Sequence, residues 1–253
     1  MKNLFDVSGK KVLFVGGAGD LGYSMMTALV EAGAYVVAVD IDTEIQSKTD
    51  QFKKHGFRAD SIVADISNRD EVRASFDQAL GMLGGEIDIL VNSAGIQRRY
   101  PSEDFPIEEW DKVISINLTS MFIYCQLSAK VMIAKGKGKI INIASMQSFF
   151  GGLTIPAYAA SKGGVAQLTK ALSNDWAAKG IHINAIAPGY MNTKLNSALI
   201  NDPVRSAEIL SRIPQKRWGT GDDMKGLIIF LASSASDYIS GTIIPVDGGY
   251  LGR

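Results

Sequence analysis

The chain has 253 residues and balances 26 Lys plus Arg against 26 Asp plus Glu, so its overall charge gives no reason to expect nucleic acid or an anionic membrane as a partner. One cysteine, Cys125, and two histidines, His55 and His182, rule out an intramolecular disulfide framework and leave no Cys- or His-rich metal site. The N-terminus is charged where a leader needs an apolar run, and no stretch approaches the ~20 uninterrupted apolar residues of a membrane helix. A single cytoplasmic globular domain over residues 1–253 is expected.

Lys11–Val15 is a short apolar strand running into Gly16-Gly17-Ala18-Gly19-Asp20-Leu21-Gly22, and a helical pattern then continues to Ala32. Gly33 closes that helix, and Tyr35–Asp40 is a second, valine-rich strand. Strand, glycine turn, helix, strand and terminal acid describe a βαβ dinucleotide-binding unit, with Asp40 eighteen residues after Gly22. The glycines let the backbone approach a pyrophosphate seated on the helix N-terminus.

The alternation continues with a predicted helix at Thr43–Lys54, a strand at Ser61–Ala64 ending at Asp65, and a helix at Asp70–Leu80. A strand at Ile87–Val91 ends in Asn92-Ser93-Ala94-Gly95, and a long helical region, Glu108–Ala134, contains Asn117. Then come a strand at Ile140–Ala144, a helix carrying Tyr158 and Lys162, and a strand at Ile181–Ala187. Helix Asp222–Leu231 and strand Thr242–Val246 complete the pattern. Strands that are apolar on both faces and separated by helices predict an α/β fold: one Rossmann-type, doubly wound parallel sheet of about seven strands, with helices on both faces. Ligands bind such sheets beyond the carboxyl ends of the strands. Asp40, Asp65, Asn92, Ser145 and Pro188-Gly189 all lie just past predicted strand ends.

Tyr158 and Lys162 are four residues apart on a predicted helix and so project from one face. A phenol, with a pKa of about 10, is a poor base at neutral pH, and tuning it there takes about 4 kcal/mol from its surroundings. A nearby ammonium and a positively charged cofactor ring would supply that. Ser145 stands thirteen residues earlier.

Together, Gly16…Gly22, Asn92-Ser93-Ala94-Gly95, Asn117, Ser145, Tyr158-X-X-X-Lys162 and Pro188-Gly189 resemble the short-chain dehydrogenase/reductase family over essentially the whole chain. The resemblance implies that Tyr158 is the acid/base at the substrate oxygen and that Ser145 polarises that oxygen. Lys162 would hold the nicotinamide ribose and depress the Tyr158 pKa, and Asn117 would position a water in the proton relay. It also implies a cofactor groove made of Gly16, Gly19, Asp20, Leu21, Gly22, Asp40, Ile41, Asp65, Ile66, Asn92, Ala94, Gly95, Tyr158, Lys162, Pro188, Gly189, Met191 and Thr193, with Thr193 bonding the nicotinamide carboxamide. Two departures stand out: Val15 and Asp20 replace the usual Thr and middle Gly of the glycine turn, and Ser93 replaces an Asn. Gly19 is expected to restore flexibility one position early, and Asp20 costs phosphate affinity unless it turns away to cap the helix.

Asp40 can accept hydrogen bonds from ribose hydroxyls and would repel a 2′-phosphate, so NAD is the expected cofactor. Two adjacent arginines, Arg98 and Arg99, follow a strand end, and either can pair a carboxylate bidentately. With Ile143-Ala-Ser-Met-Gln-Ser148, Ala187-Pro-Gly-Tyr-Met191 and Arg217-Trp-Gly219, the chain resembles the gluconate 5-dehydrogenase and 2-deoxygluconate 3-dehydrogenase branch of the family. The implied substrate is a sugar acid touched by Arg98 or Arg99, Ser145, Gln147 and Tyr158, under a lid near residues 190–213. A homotetramer is implied as well. Two other readings are a 3-oxoacyl-acyl-carrier-protein reductase, which Asp40 disfavours, and a non-catalytic NAD(H)-binding regulator, which the full catalytic set disfavours.

Overall fold

Strands with two apolar faces must be covered twice. The computed structural model, which describes residues 3–252 apart from the side chain of Leu195, shows how. Among those residues lie strands β1 (Lys11–Val15), β2 (Tyr35–Asp40), β3 (Ala59–Val63), β4 (Ile89–Asn92), β5 (Gly138–Ile143), β6 (Ile181–Pro188) and β7 (Ile243–Val246). The helices are α1 (Asp20–Glu31), α2 (Glu44–Lys54), α3 (Arg69–Met82), α4 (Ile107–Ile114), α5 (Ser120–Lys135), α6 (Pro156–Trp176), α7 (Ser197–Ile200), α8 (Pro203–Arg212) and α9 (Asp222–Ala232).

The seven strands form one sheet in the order β3-β2-β1-β4-β5-β6-β7, and every neighbouring pair is parallel. Alternate residues serve opposite layers. Leu13, Val15, Val37, Val39 and Leu90 meet α3, α5 and α6 through Phe76, Tyr124, Met132 and Leu172. Val12, Phe14, Val36, Ala38 and Val91 meet α1, α2 and α9 through Met25, Leu29, Phe52 and Ile228. Burial of each such side chain is worth about 1.5–3 kcal/mol.

Register then positions the site. Val15 lies opposite both Val39 and Asn92, and Asn92 lies opposite Asn142. The carboxyl ends of β1, β2, β4 and β5 therefore form one row. The chain winds outward in both directions from β1, leaving a crevice beyond β1 and β4 where such sheets take ligands.

Several strand bounds shift by one or two residues, β4 starting at Ile89 and β5 at Gly138, and two differences have a clear physical cause. β3 starts at Ala59 rather than Ser61, because Asp60 is held as a polar strand residue by Lys53 at 2.7 Å and by the Tyr35 hydroxyl at 2.7 Å. The long helix around Asn117 is interrupted by a π-helical turn, Ser115–Thr119, which divides it into α4 and α5. Taken through that turn, Ile107–Lys135 is apolar and long enough to cross a membrane, but its buried face, including Met121, Tyr124, Cys125 and Met132, packs in the core.

The glycine turn is built by close approach. Gly16 has φ +90°, and a Cβ there would collide with the backbone of Ser93 and Ala94, while a Cβ on Gly22 would strike the Gly16 carbonyl. Gly19 differs: its φ of −68° suits any residue, and nothing lies within 4 Å of a Cβ built on it. It supplies open space for a ligand rather than the flexibility expected. Gly16→Ala should therefore destabilise the fold by about 2 kcal/mol or more, and Gly19→Ala by less than about 1 kcal/mol. Urea unfolding of the two variants checks the contrast.

Candidate active site

The end of β5 and the loop after β4 converge on Tyr158 and Lys162, which lie one turn apart on α6. Lys162 is buried, and its Nζ donates to the Ile143 carbonyl at the end of β5 at 2.6 Å. Just beyond, Ser145 caps a 3-10 turn by accepting from the Gln147 amide at 3.2 Å. Ser148 donates to the Lys162 carbonyl at 2.6 Å, tying that turn to α6. From the other side, the Asn117 side chain grips both polar groups of Ile96, at 2.8 and 2.9 Å, and donates to Ser161 Oγ at 3.1 Å. Ser161 Oγ in turn donates to the Tyr158 carbonyl at 2.8 Å. Asn117 thus holds the loop after β4 against α6. A Cβ on Gly95 would stand 3.4 Å from Asn117 Oδ1 and 3.6 Å from Lys162 Nζ, so glycine leaves the approach to both open.

Dryness sets the electrostatics. Burial pushes the Lys162 ammonium down to about 8. Burial also raises the Tyr158 phenol above its ordinary value, with the Ser145 side chain pulling the other way. Lys162 Nζ stands 5.8 Å from the Tyr158 ring centroid. In the protein alone burial is the larger influence on Tyr158. A phenolate beside the Lys162 ammonium, and beside the cationic ring that an oxidised cofactor would bring, gains a favourable pairing that opposes this burial.

A cleft of about 730 Å³ runs along this edge of the sheet, in the size range of ligand sites. It is lined by Gly16, Gly19, Asp20, Leu21, Gly22, Asp40, Ile41, Asp65 and Ile66 at one end. Ala94, Gly95, Arg99, Ser145, Gln147, Tyr158, Lys162, Pro188, Gly189, Met191 and Thr193 line the remainder. Asp40 accepts from the Ala18 amide at 2.8 Å and from the Asp42 amide at 3.0 Å, which pins the glycine turn to the end of β2. Asp65 accepts from the Ser67 amide at 2.9 Å, shaping its own turn. Thr193 makes no side-chain cap bond in its turn, leaving its hydroxyl for the cleft.

Two expected positions, Asn92 and Arg98, lie outside the lining, and a third, Asp20, lines the cleft but bonds differently from expectation. Asn92 turns into the core, where Nδ2 donates to Asn142 at 2.9 Å, and it does not line the cleft. Arg98 is tied to Glu109 of α4 at 2.7 Å and is likewise outside the lining. In extended backbone, successive side chains point opposite ways, so only one of the two arginines can face inward. Asp20 does not cap α1; its Oδ2 accepts from the Lys194 amide at 2.7 Å.

A family model described as enoyl-(acyl carrier protein) reductase matches residues 16–251. The 2-dehydro-3-deoxy-D-gluconate 5-dehydrogenase of Escherichia coli (strain K12) is 46% identical over 98% of this chain and 98% of its own length. That of Bacillus subtilis (strain 168) is 43% identical over 100% of this chain and 99% of its own length. The chain belongs to the short-chain dehydrogenase/reductase family. The solved structure of a gluconate 5-dehydrogenase from Burkholderia cenocepacia J2315, in complex with NADP and tartrate, superposes with a TM-score of 0.94 at 42% identity, covering 99% of this chain and 98% of that one.

As a short-chain dehydrogenase/reductase the chain uses a nicotinamide cofactor, and the cleft fits one. The close packing of Gly16 and Gly22 brings backbone to where a pyrophosphate would sit, and the open side of Gly19 gives it room. Sequence reasoning missed Arg205 and Arg212 of α8, which also line the cleft. It also missed Ser148 and Ser161, whose bonds are visible only once α6 is docked.

The buried lysine has a stability cost. The gap between its ordinary value of 10.5 and about 8 corresponds to about 3 kcal/mol against the charged form, offset by about 1 kcal/mol from its hydrogen bond. Lys162→Met should therefore raise the stability of the cofactor-free protein by about 2 kcal/mol at pH 7. The folded pKa lies below the unfolded one, so between pH 8 and 10 the unfolded wild type holds the extra proton and wild-type stability rises. Thermal unfolding across that range should show the variant's advantage shrinking as pH increases.

Proposed function

We propose that this chain transfers hydride between NAD(H) and a secondary hydroxyl, or the matching ketone, of an acyclic sugar acid. The observation that carries this reading is the sorting of charge along the cleft. Asp40, Asp42 and Glu44 line the end beyond β2, whereas Arg99, Arg205 and Arg212 line the opposite end together with a single acid, Glu208. Arg99 bonds only the Leu153 carbonyl and Thr154 Oγ1, at 3.0 and 2.9 Å, and Arg212 stacks on Tyr250. Among the described residues none of these three arginines is paired with a carboxylate. A substrate carboxylate is the partner they fit. The sugar-acid names of the relatives, and the tartrate held by the Burkholderia enzyme, support the same substrate class.

The nicotinamide, when bound, accepts or delivers the hydride. The remaining work falls to the chain. Ser145 donates a hydrogen bond to the reacting oxygen, and Tyr158 takes the proton from the hydroxyl or returns it to the carbonyl. Lys162, oriented by Ile143, faces the ribose. Asn117 keeps the loop after β4 and α6 in register. Tyr158→Phe is expected to lower kcat about a thousandfold.

NAD rather than NADP is supported by the three carboxylates, each of which would oppose a 2′-phosphate by about 1 kcal/mol at contact distance in water and more in a cleft. Exposed Ile41 provides an apolar wall for an adenine. The nearby cation, Lys48, is engaged by the Ala18 carbonyl at 2.6 Å and by Glu44 at 3.5 Å, and does not line the cleft. NADP is the second reading, because the Burkholderia structure holds it. The homotetramer belongs to the proposal too, supported by the exposed Phe122 and Ile133 on α5.

Steady-state assays with gluconate and 2-keto-3-deoxygluconate, using both cofactors, test this reading. kcat/KM should favour NAD at least tenfold, and Arg99→Ala should raise the sugar-acid KM about tenfold with little change in kcat. Turnover of neutral polyols in preference to acids would sink the substrate assignment. A preference for NADP would sink the cofactor assignment alone.

A further inference from the structure

Asp20 stands where the family pattern has glycine, in the first turn of α1, and it lines the cleft. Its carboxylate reaches 174 residues along the chain to accept from the Lys194 amide at 2.7 Å. That amide opens the lid: Thr193 before it is extended and faces the cleft, and the turn Lys194–Asn196 leads into α7 and α8. The lid's apolar side packs Ile209 and Leu210 on Met146 and Tyr250, with Arg212 stacked on Tyr250, and its other backbone and side-chain hydrogen bonds run to its own flanks. Met191 bridges Gly219, the Asn192 amide donates to the Gly219 carbonyl at 2.7 Å, and Trp218 donates to Ser206 at 3.2 Å. Asp20 instead ties the lid to the turn that receives the cofactor.

We infer that Asp20 is a positioning residue that clasps the substrate lid to the cofactor turn, setting Thr193 against the nicotinamide site and α8, with its arginines, over the substrate. A charge-assisted hydrogen bond from backbone is strong enough to hold such a segment. The negative charge beside a pyrophosphate works against cofactor affinity, so the clasp and the charge have separable effects. Asp20→Asn keeps an acceptor oxygen and removes the charge. Asp20→Ala removes both.

The experiment is amide hydrogen exchange over residues 193–212 in the cofactor-free protein, paired with kinetics on gluconate. Asp20→Ala should speed exchange in that segment about tenfold and raise the gluconate KM about tenfold, the amount one such bond sustains. Asp20→Asn should stay within about threefold of wild type in both readouts while binding NAD more tightly. Wild-type exchange in the Ala variant, or equal acceleration in both variants, would overturn the clasp. The kinetic arm rests on the sugar-acid reading and the exchange arm does not. Accelerated exchange without gluconate turnover in any variant would therefore uphold the clasp and fault the substrate.

Discussion

The site depends on keeping one cation where water is scarce. Lys162 is held by the Ile143 carbonyl at the end of β5, and burial there penalises its charge. α6 tolerates this because Val165 and Leu172, on the same helix, pack into the core beneath the sheet. The local network of Asn117, Ser161 and Ser148 ties that helix to the loop after β4 and to the turn after β5. A buried lysine of this kind is a net cost to the folded state, borne by the layers around it. It is the sort of local inconsistency that marks a working site.

The same parallel sheet that supplies this support also arranges the cleft. Strand ends in register present Gly16, Asp40, Ser93 and Ser145 along one edge, and the winding order opens the crevice beside them. Acids gather beyond β2 and arginines beneath the lid, so the two ends of the cleft differ in sign. Opposite electrostatic ends give a cofactor and an acidic substrate one way round to bind.

Fold class and the gathering of Ser145, Tyr158 and Lys162 at one cleft are legible in the sequence because they rest on local rules. Valine-rich runs punctuated by glycine mark the strands, and the four-residue spacing of Tyr158 and Lys162 is a helical fact. What escapes is decided by tertiary context. Whether Arg98 or Arg99 faces inward depends on the path of one loop, and Glu109 captures Arg98 only after α4 has docked. Asn92 is expected just past a strand end, as a ligand-binding residue would be, yet it is the last residue of β4 and Asn142 on the neighbouring strand draws it inward. Arg205 and Arg212 carry no sequence signal, because their role exists only where α8 covers the cleft. The upward shift of Tyr158 is illegible for a similar reason: spacing reports the nearness of a lysine but not the dryness of both groups.

The packing of Gly16 against Ser93 and Ala94 bears on when the protein becomes competent during its synthesis. The first βαβ unit contains the nucleotide fingerprint, but the wall that completes its glycine turn arrives only with β4. Ser145, Tyr158 and Lys162 follow with β5 and α6, and Lys194 reaches back to Asp20 later still. A nascent chain emerging from the ribosome would therefore carry the fingerprint long before it carried a finished cradle. Nucleotide capture belongs to the nearly complete polypeptide, and the cofactor can act as a late check on assembly rather than as an early scaffold.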